Sequence, residues 1–330
     1  MDAHRHPQAE QILRRLRQEQ IAALYHFTSI ENLPCIRDMQ ALCSKQLLQD
    51  RGQWPPLVPG GDTLSHNLDR YHDNWGMVSC SFTPRTPMAY RRKPKSHLCF
   101  FVVQIDVAAF RGVVFTDMNG TANDHRRAEG MAGIDLVHFD MINSFPHPWD
   151  KEGWVRYVQA EILVPPCIML DYIKEVTFVS QASLQEAERL WGLSPHPPFR
   201  VDPSHFEDVP GSSVLNFPVL FEWLLTDESI DTSNARLPHT HKSHFIRLSE
   251  GVITALARCR VMTGTRASME WNPGRHVTEY EFTNSNVFWY WHRFRLDHLP
   301  DGTCSATFYL NNIRWSTLEF ELVSQRREML

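Results

Sequence analysis

A proline-rich stretch divides this chain of 330 residues into two parts of different character. Between residues 193 and 213, acidic residues accompany Pro195, Pro197, Pro198, Pro203 and Pro210. Proline fixes φ and lacks the backbone N–H, so a stretch of this composition favours an irregular connection. The sequence therefore predicts a first domain over residues 1–194, a linker over 195–213 and a second domain over 214–330.

Helical and strand-like segments alternate in the first part. The run Leu98–Val103 is apolar throughout, which is typical of a strand buried on both faces. Shorter strand-like runs cover residues 113–115 and 176–179, and helical spacing appears over residues 7–21, 64–71 and 182–191. These patterns predict an α+β fold for the first domain.

The second part has the residue pattern of long strands. Every second residue from Ile253 to Val261 is apolar, as expected for one face of a strand. Residues 277–282 and 287–296 are expected to pair as a hairpin, as are residues 304–310 and 313–323 around Asn311-Asn312. The sequence predicts an antiparallel β-rich domain, in which Trp289, Tyr290 and Trp291 belong mainly to the core, with base stacking as the alternative.

Composition limits the classes of function. The formal net charge of −5 excludes a globally basic nucleic-acid binder, so any nucleic-acid contact requires a local basic patch. No apolar run approaches the ~20 residues of a membrane helix, and no signal core follows the amino terminus. Seven cysteines without a Cys-x-x-Cys pair indicate reduced thiols in a cytoplasmic protein and no metal site.

One carboxylate lies within a segment that has the pattern of a strand, residues 156–164. Val158, Ala160, Ile162 and Val164 alternate with Gln159, Glu161 and Leu163, so Glu161 points away from the apolar face. A lone carboxylate in such a strand is either solvated or directed into a cleft where it stabilises positive charge. The residues of this segment alone leave both interpretations open.

Four segments, taken in order, resemble one known family. They are Tyr25-His26-Phe27-Thr28 with Asn32 after it, residues 82–90 with the sequence FTPRTPMAY, residues 115–117 with FTD, and residues 159–164 with QAEILV. This order is similar to that of the DarT family of NAD-dependent ADP-ribosyltransferases, which modify nucleic acid. The resemblance covers roughly residues 24–179 and does not extend to the second domain.

The resemblance implies an ADP-ribosyltransferase-like fold of two packed β-sheets with flanking helices, with NAD as the substrate and without a metal. It assigns the catalytic carboxylate to Glu161. Substitution of Glu161 by alanine is expected to lower activity on the order of 10²-fold or more. It places NAD contacts at His26, Phe27, Thr28, Asn32, Ser44, Arg85 and Tyr90. The residues themselves also allow a buried core histidine at His26, a helix cap at Asn32 and core packing at Tyr90.

The chain departs from the family at an essential arginine that precedes residues 82–90. Arg70 fills that role best because its surroundings are helical, and Arg51 is the alternative. Arginine stays protonated, so its expected role is to orient phosphates or the acceptor rather than to remove a proton. This difference leaves the target open among thymidine in single-stranded DNA, guanosine in DNA and a base in RNA.

A basic run follows the second motif and contains Arg91, Arg92, Lys93 and Lys95. It is either a solvated loop or a track for nucleic-acid phosphates beside the cleft, and His125-Arg126-Arg127 is a weaker candidate. By resemblance the protein is a toxin of a toxin–antitoxin or phage-defence system with an antitoxin partner. The alternatives are a transferase that modifies protein and a non-catalytic NAD-fold binding protein.

Overall fold

The structure is a computed structural model that describes residues 4–60, 63–144, 151–208, 215–228, 241–247, 251–273, 276–296 and 299–324. The chain forms two compact units. Unit 1 comprises Met1–Phe178 and Ala187–Val214, and unit 2 comprises Val179–Glu186 and Leu215–Leu330.

Apolar residues at helical spacing produce the first helix, in which Ile12, Leu13 and Leu16 are buried. Within the part of the chain that the structure describes, no helix is long and apolar enough to cross a membrane. The helices are α1 (Ala9–Gln18), α2 (Leu33–Met39), α3 (Lys45–Asp50), α4 (Thr63–Tyr71), α5 (Pro87–Arg92), α6 (Gly130–Ile134), α7 (Phe139–Asn143), α8 (Lys151–Tyr157) and α9 (Gln181–Trp191).

Unit 1 is built on an eight-stranded sheet. Its strands are β1 (Leu24–Ser29), β3 (Val78–Ser81), β4 (Leu98–Val103), β5 (Val114–Thr116), β6 (Arg127–Glu129), β7 (Glu161–Val164), β9 (Ile173–Phe178) and β10 (Phe199–Val201). Their order is β10-β9-β4-β1-β3-β7-β5-β6. A separate pair joins β2 (Ala41–Cys43) to β8 (Cys167–Met169).

The α+β fold class is confirmed, and the layout of the sheet explains the cleft described below. All six residues of β4 are buried, as the apolar run predicted. The resemblance implied two packed sheets. Here all eight strands belong to one sheet, because β1 pairs with β3 at Tyr25 and Ser81. The strands β1, β3 and β7 therefore lie side by side in the middle of the sheet.

The strand predicted over residues 156–164 is shorter than its alternation indicated. Helix α8 runs to Tyr157, and the amide of Val158 still donates to the Trp154 carbonyl at 2.9 Å. Strand β7 begins only at Glu161, so this residue opens the strand instead of lying in its middle. The last helical turn therefore produced part of the apolar alternation.

Most of the predicted linker is part of unit 1. Strand β10 pairs in parallel with β9, and Phe206 is buried with its ring centroid 5.0 Å from that of Phe100. The prolines permit this because β10 lies at the edge of the sheet, where a missing N–H is tolerated. Residues 209–213 of the predicted linker lie outside the described residues.

Unit 2 is β-rich, as predicted, and its described residues form two sheets. Strands β11 (Val219–Thr226), β13 (Val252–Val261) and β16 (Asn286–Arg295) form the order β11-β13-β16. The second sheet has the order β12-β18-β17-β14-β15 and contains β12 (His244–Arg247), β14 (Arg266–Asn272), β15 (His276–Glu281), β17 (Gly302–Leu310) and β18 (Ile313–Ser324). All pairs are antiparallel except β12 with β18.

Aromatic side chains pack between these two sheets. Trp271 stacks on Phe294 with centroids 4.5 Å apart, and Trp223 lies 5.1 Å from Phe308. The faces that carry these rings therefore form the core of a sandwich.

One predicted hairpin is confirmed and the other is wrong. β17 and β18 turn at Asn311 and Asn312, whose φ values of 52° and 64° suit a tight two-residue hairpin turn. By contrast, β15 pairs with β14 while β16 pairs with β13. Residues 283–286, which have the sequence of a turn, connect strands of two different sheets instead of two adjacent strands. This is because β16 belongs to the three-stranded sheet.

The buried cation Lys93 supports the fold of unit 1. Its ammonium group donates to the Phe206 carbonyl at 2.7 Å and to the Asp208 carboxylate at 3.2 Å. Burial lowers the pKa of Lys93, and the neighbouring Asp208 carboxylate opposes this shift. This placement corrects the prediction that Lys93 belongs to a phosphate track, since the side chain is buried within the protein.

We expect Lys93→Ala to lower the free energy of unfolding by about 2 kcal/mol, because it removes a buried side chain that donates to the Phe206 carbonyl and to the half-buried Asp208 carboxylate. Lys95→Ala is the matched control, since Lys95 is exposed, and it should leave stability nearly unchanged. Urea unfolding of both variants tests this expectation. Equal stability of the two variants would contradict the structural role of Lys93.

Candidate active site

A cavity of about 490 Å³ lies in unit 1 against the middle strands of the sheet. Its volume is within the range of small-molecule sites. The central strands contribute Tyr25, His26, Phe27, Thr28, Val78, Ser79, Ser81, Glu161 and Leu163. Other segments contribute Asn32, Cys35, Ile36, Met39, Ala41, Leu42, Cys43, Lys45, Leu48, Trp54, Pro56, Gly60, Ser65, Asp69, Asn74, Met77, Thr86, Met88, Arg91, Arg92, Asn119, Thr121 and Gln159.

The carboxylate of Glu161 is buried and faces this cavity, with only 7% of the residue exposed. Its Oε2 accepts a hydrogen bond from the Gly120 amide at 2.9 Å, and the Ser79 hydroxyl also donates to it. The Glu161 backbone amide donates to the Thr116 hydroxyl at 2.9 Å. The interpretation of Glu161 as a solvated residue is therefore excluded, and the carboxylate is directed into a cleft.

Gly120 brings its amide close to the carboxylate because it lacks a side chain. A Cβ at this position would lie 2.8 Å from Glu161 Oε2 and 3.2 Å from Asn74 Nδ2. The Asn74 side chain in turn donates to the Gly120 carbonyl at 2.7 Å. Asp117 holds the same loop through Arg126, whose backbone amide and Nε donate to it at 2.8 and 3.0 Å.

Burial raises the pKa of the Glu161 carboxyl to about 7, because desolvation disfavours the charged form. The hydrogen bonds from Gly120 and Ser79 and the Lys45 ammonium partly oppose this effect, whereas Asp69 adds to it. A carboxyl with this pKa can hold or release a proton near neutral pH, as a general base requires.

His26 lies on β1 and faces the same cavity. Its Nδ1 lies 2.8 Å from the Ser79 carbonyl oxygen, which can only accept, so Nδ1 carries the proton. Burial lowers the pKa of His26, which favours the neutral ring. The Nε2 atom of the neutral ring is then a hydrogen-bond acceptor and not a donor.

Thr28 and Asn32 hold one wall of the cavity together. The Asn32 amide donates to the Thr28 hydroxyl at 3.0 Å and to the Val58 carbonyl at 2.8 Å. Its Oδ1 accepts from the Val58 amide at 2.9 Å. Asn32 precedes α2 but makes no side-chain cap, so in this structure it positions the loop that carries Pro56 and Gly60.

Lys45 and Asp69 are cavity residues that the sequence analysis missed. Their side chains form an ion pair, and both line the cavity with Glu161. Lys45 opens α3 directly after Ser44, whose hydroxyl caps that helix by accepting from the Leu47 amide. The Ser-Lys sequence at a helix start was the available signal, but only the tertiary structure places this lysine near Glu161.

The predicted arginines lie elsewhere. The guanidinium of Arg70 stacks on Trp75 with its carbon 3.7 Å from the ring centroid, and Arg51 is an exposed residue that ends α3. Neither residue belongs to the cavity lining, although Asp69 beside Arg70 does. Among the lining residues, Lys45 is thus the cation whose charge acts on both His26 and Glu161.

The other predicted NAD contacts divide into two groups. Phe27 lines the cavity together with His26, Thr28 and Asn32. Ser44, Arg85 and Tyr90 are outside the lining, and Tyr90 is 55% exposed on α5. Arg85 acts on the pKa of Tyr25 and His205 and therefore lies close to them.

The residues of the basic run after the second motif also differ in their positions relative to the cavity. Arg91 and Arg92 end α5 and line the cavity, while Lys95 is exposed and Lys93 is buried as described above. Of the weaker candidate run, Arg126 pairs with Asp117, and Arg127 donates to Asn74 Oδ1 at 3.1 Å. Two arginines thus remain at the cavity to meet anionic groups.

The raised pKa of Glu161 predicts a pH-dependent stability. Between about pH 4.5 and 7 the folded protein retains a proton that the unfolded chain has lost, so stability falls as pH rises. The total loss is about 3 kcal/mol and is complete above about pH 7. Because Glu161→Gln lacks this titration, its stability relative to the unmodified protein should rise over this range. Urea unfolding of both proteins at pH 5, 6, 7 and 8 measures this difference in stability. A difference that stays constant over these pH values would contradict the prediction.

Comparison with known proteins identifies the family of unit 1. The DarT family model, described as ssDNA thymidine ADP-ribosyltransferase, matches residues 25–207. A DNA ADP-ribosyl transferase-DNA ADP-ribosyl glycohydrolase fusion protein from Thermosipho africanus (strain H17ap60334) is 23% identical over 161 residues. The match covers 46% of this chain and 41% of that protein, so this chain spans less than half the length of the fusion protein.

Two solved structures from Thermus sp. 2.9 also align with the chain. DarT in complex with ADP-ribosylated ssDNA is 19% identical, with a TM-score of 0.46 over 57% of this chain and 97% of that chain. DarT in complex with NAD+ is 20% identical, with a TM-score of 0.43 over 57% of this chain and 98% of that chain. Since the family model spans more than half of the sequence, the resemblance is confirmed, and this chain belongs to the DarT family.

Proposed function

We propose that this protein is an NAD-dependent ADP-ribosyltransferase that transfers ADP-ribose to a thymine base of single-stranded DNA. The observation that carries the proposal is the buried carboxylate of Glu161 in one cavity with His26, Thr28 and Lys45. The description of the matched family supports thymidine in single-stranded DNA over guanosine or RNA as the acceptor.

The chemistry of the cavity fits NAD as a substrate. The unprotonated Nε2 of His26 accepts a hydrogen bond from a ribose hydroxyl, and Phe27 and Met39 offer apolar surface to a ring. Lys45, Arg91 and Arg92 supply positive charge for the pyrophosphate. These residues come from three different parts of the chain and meet only in the folded unit.

Transfer requires one bond to break and one to form at the anomeric carbon of the ribose. The bond to the nicotinamide nitrogen breaks, and its electron pair leaves with nicotinamide. A ring nitrogen of thymine then bonds to that carbon and loses its proton to the Glu161 carboxylate. The same carboxylate stabilises the positive charge that develops on the ribose, as in glycoside cleavage.

The pKa of about 7 suits Glu161 to this step at neutral pH. A substantial fraction of the free protein then carries the ionised carboxylate. The positive nicotinamide ring of bound NAD favours that form further, because an opposite charge lowers the pKa of a carboxyl. The Gly120 amide keeps the carboxylate oriented while the proton arrives.

We also propose that the protein acts as a toxin held in check by an antitoxin. The name of the fusion relative joins a DNA ADP-ribosyl transferase to a DNA ADP-ribosyl glycohydrolase, and this combination supports a modification that is reversed by a partner activity. The seven cysteines are all free thiols, which fits the reducing cytoplasm of a cell.

Glu161→Gln should lower transfer of label from labelled NAD to single-stranded DNA by at least 10²-fold, because the amide can neither accept the proton nor stabilise the ribosyl cation. Mass spectrometry of the oligonucleotide after reaction identifies the modified base. Glu129→Gln is the matched control, since Glu129 is an exposed glutamate of unit 1, and it should transfer normally.

Each alternative function predicts a different result in this assay. Label on protein and not on DNA would indicate a transferase that modifies protein. Free ADP-ribose formed at the same rate without an acceptor would indicate an NAD hydrolase. Equal activity of Glu161→Gln and the unmodified protein would refute the role of the carboxylate.

We propose that Lys45 supplies the cationic role that the family assigns to an arginine. Lys45→Met is expected to lower transfer at least tenfold, because it removes the positive charge beside Glu161 and His26. Lys45→Arg should recover part of the activity, since it restores the charge. Arg51→Met is the control on the same helix and should transfer normally. Loss of activity in Arg51→Met with full activity in Lys45→Met would refute this proposal and assign the role to Arg51, the alternative to Arg70.

A further inference from the structure

Unit 2 presents an aromatic and basic face on its three-stranded sheet. The rings of Phe294 and Tyr290 on β16 face the other sheet, where they meet Trp271 and Phe308 at 4.5 and 6.3 Å. Side chains alternate along a strand, so Trp289, Trp291 and Arg293 point to the opposite face. Trp291 is 43% exposed there.

Positive charge lies beside the tryptophans on this face. Residues directly opposite in antiparallel strands share a face, and β13 places Arg258 opposite Trp289 and Arg260 opposite Val287. The guanidinium carbon of Arg293 lies 5.6 Å from the Trp291 ring centroid. The outer face, defined by Trp289, Trp291, Arg258, Arg260 and Arg293, thus combines exposed ring surface with guanidinium groups.

One acidic residue on the same face is already paired. Glu222 of β11 lies opposite Arg258 and forms an ion pair with it. Leu224 and Leu256 are buried and pack against Trp289, which fixes that ring in the sheet. The outer face is therefore net positive in a protein whose formal net charge is −5.

We infer that the outer face of unit 2 binds single-stranded DNA. Aromatic side chains stack on bases without sequence preference, and cations beside them meet the phosphates. Trp289 and Trp291 are two residues apart, which spaces them by ~7 Å along the strand, and both project from the same side. The charge favours a polyanion over an uncharged partner, and the rings favour unpaired bases over a duplex.

This surface lies outside the residues that match the family, so it adds a second contact to the strand that unit 1 modifies. The choice of DNA over RNA rests on the proposed function. Binding at the outer face holds the strand near the enzyme between encounters and raises the effective concentration of acceptor bases.

The experiment measures binding without catalysis. Full-length Glu161→Gln protein is titrated, without NAD, into a fluorescein-labelled single-stranded oligonucleotide, and fluorescence anisotropy gives Kd. Adding Trp291→Ala should raise Kd about tenfold, because one base loses its stacking partner. Adding Arg293→Gln should reduce the slope of log Kd against log salt by about 0.7, because one phosphate contact is lost.

Two variants on the other sheet of unit 2 are controls. Val277→Ala removes a side chain that is 51% exposed, and Arg266→Gln removes an exposed arginine. Both should leave Kd and the salt slope unchanged. Circular dichroism and the unfolding temperature of each variant establish that it is folded.

Unchanged binding in both folded outer-face variants would overturn the inference. Tighter binding of a duplex or of RNA with the same base sequence would also overturn it. So would loss of binding to anionic lipid vesicles in these variants while oligonucleotide binding is kept. A protein that shows the expected losses of DNA binding but no transfer of ADP-ribose would refute the proposed function and leave the inference intact.

Discussion

The structure of the site depends on one buried carboxylate held at the start of a central strand. Glu161 lies against β3 in the eight-stranded sheet, where Ser79 donates to it and the Gly120 amide reaches its Oε2 at 2.9 Å. A buried carboxylate without such partners would cost several kcal/mol, so these donors are what allow the Glu161 carboxylate to be buried against the cavity. The remaining desolvation is what brings its pKa to about 7.

Two groups of residues surround this carboxylate: some line the cavity with it, and others hold the nearby loops. His26 and Lys45 share the cavity with the carboxylate and bring to it a neutral imidazole ring and a positive charge. Asn32, Asn74 and Asp117 act instead on the backbone of the loops that bring Val58 and Gly120 into place. Hydrogen bonds of this kind fix the geometry of the loops that surround a site.

Local patterns predicted the parts of the fold that have strong periodicity. The apolar run of β4, the helix at α9 and the asparagine turn between β17 and β18 follow directly from burial, helix signals and turn chemistry. Predictions were wrong where a pattern had two solutions. The end of α8 mimicked a strand, and residues 283–286 joined two sheets where a hairpin was expected. Local propensity does not specify which strands become neighbours.

The sequence alone determined the family, the position of the carboxylate that faces the cavity and the presence of a β-rich second part, because the order and spacing of the motifs are properties of the chain itself. Only the tertiary structure decided which cation shares the cavity with Glu161, since the local sequence does not distinguish Lys45 from Arg51 and Arg70 in this respect. It also decided that Lys93 is buried against Asp208, while Trp291 stays exposed beside Arg293. Burial and charge proximity arise from contacts between distant segments, and these form only when the sheets assemble.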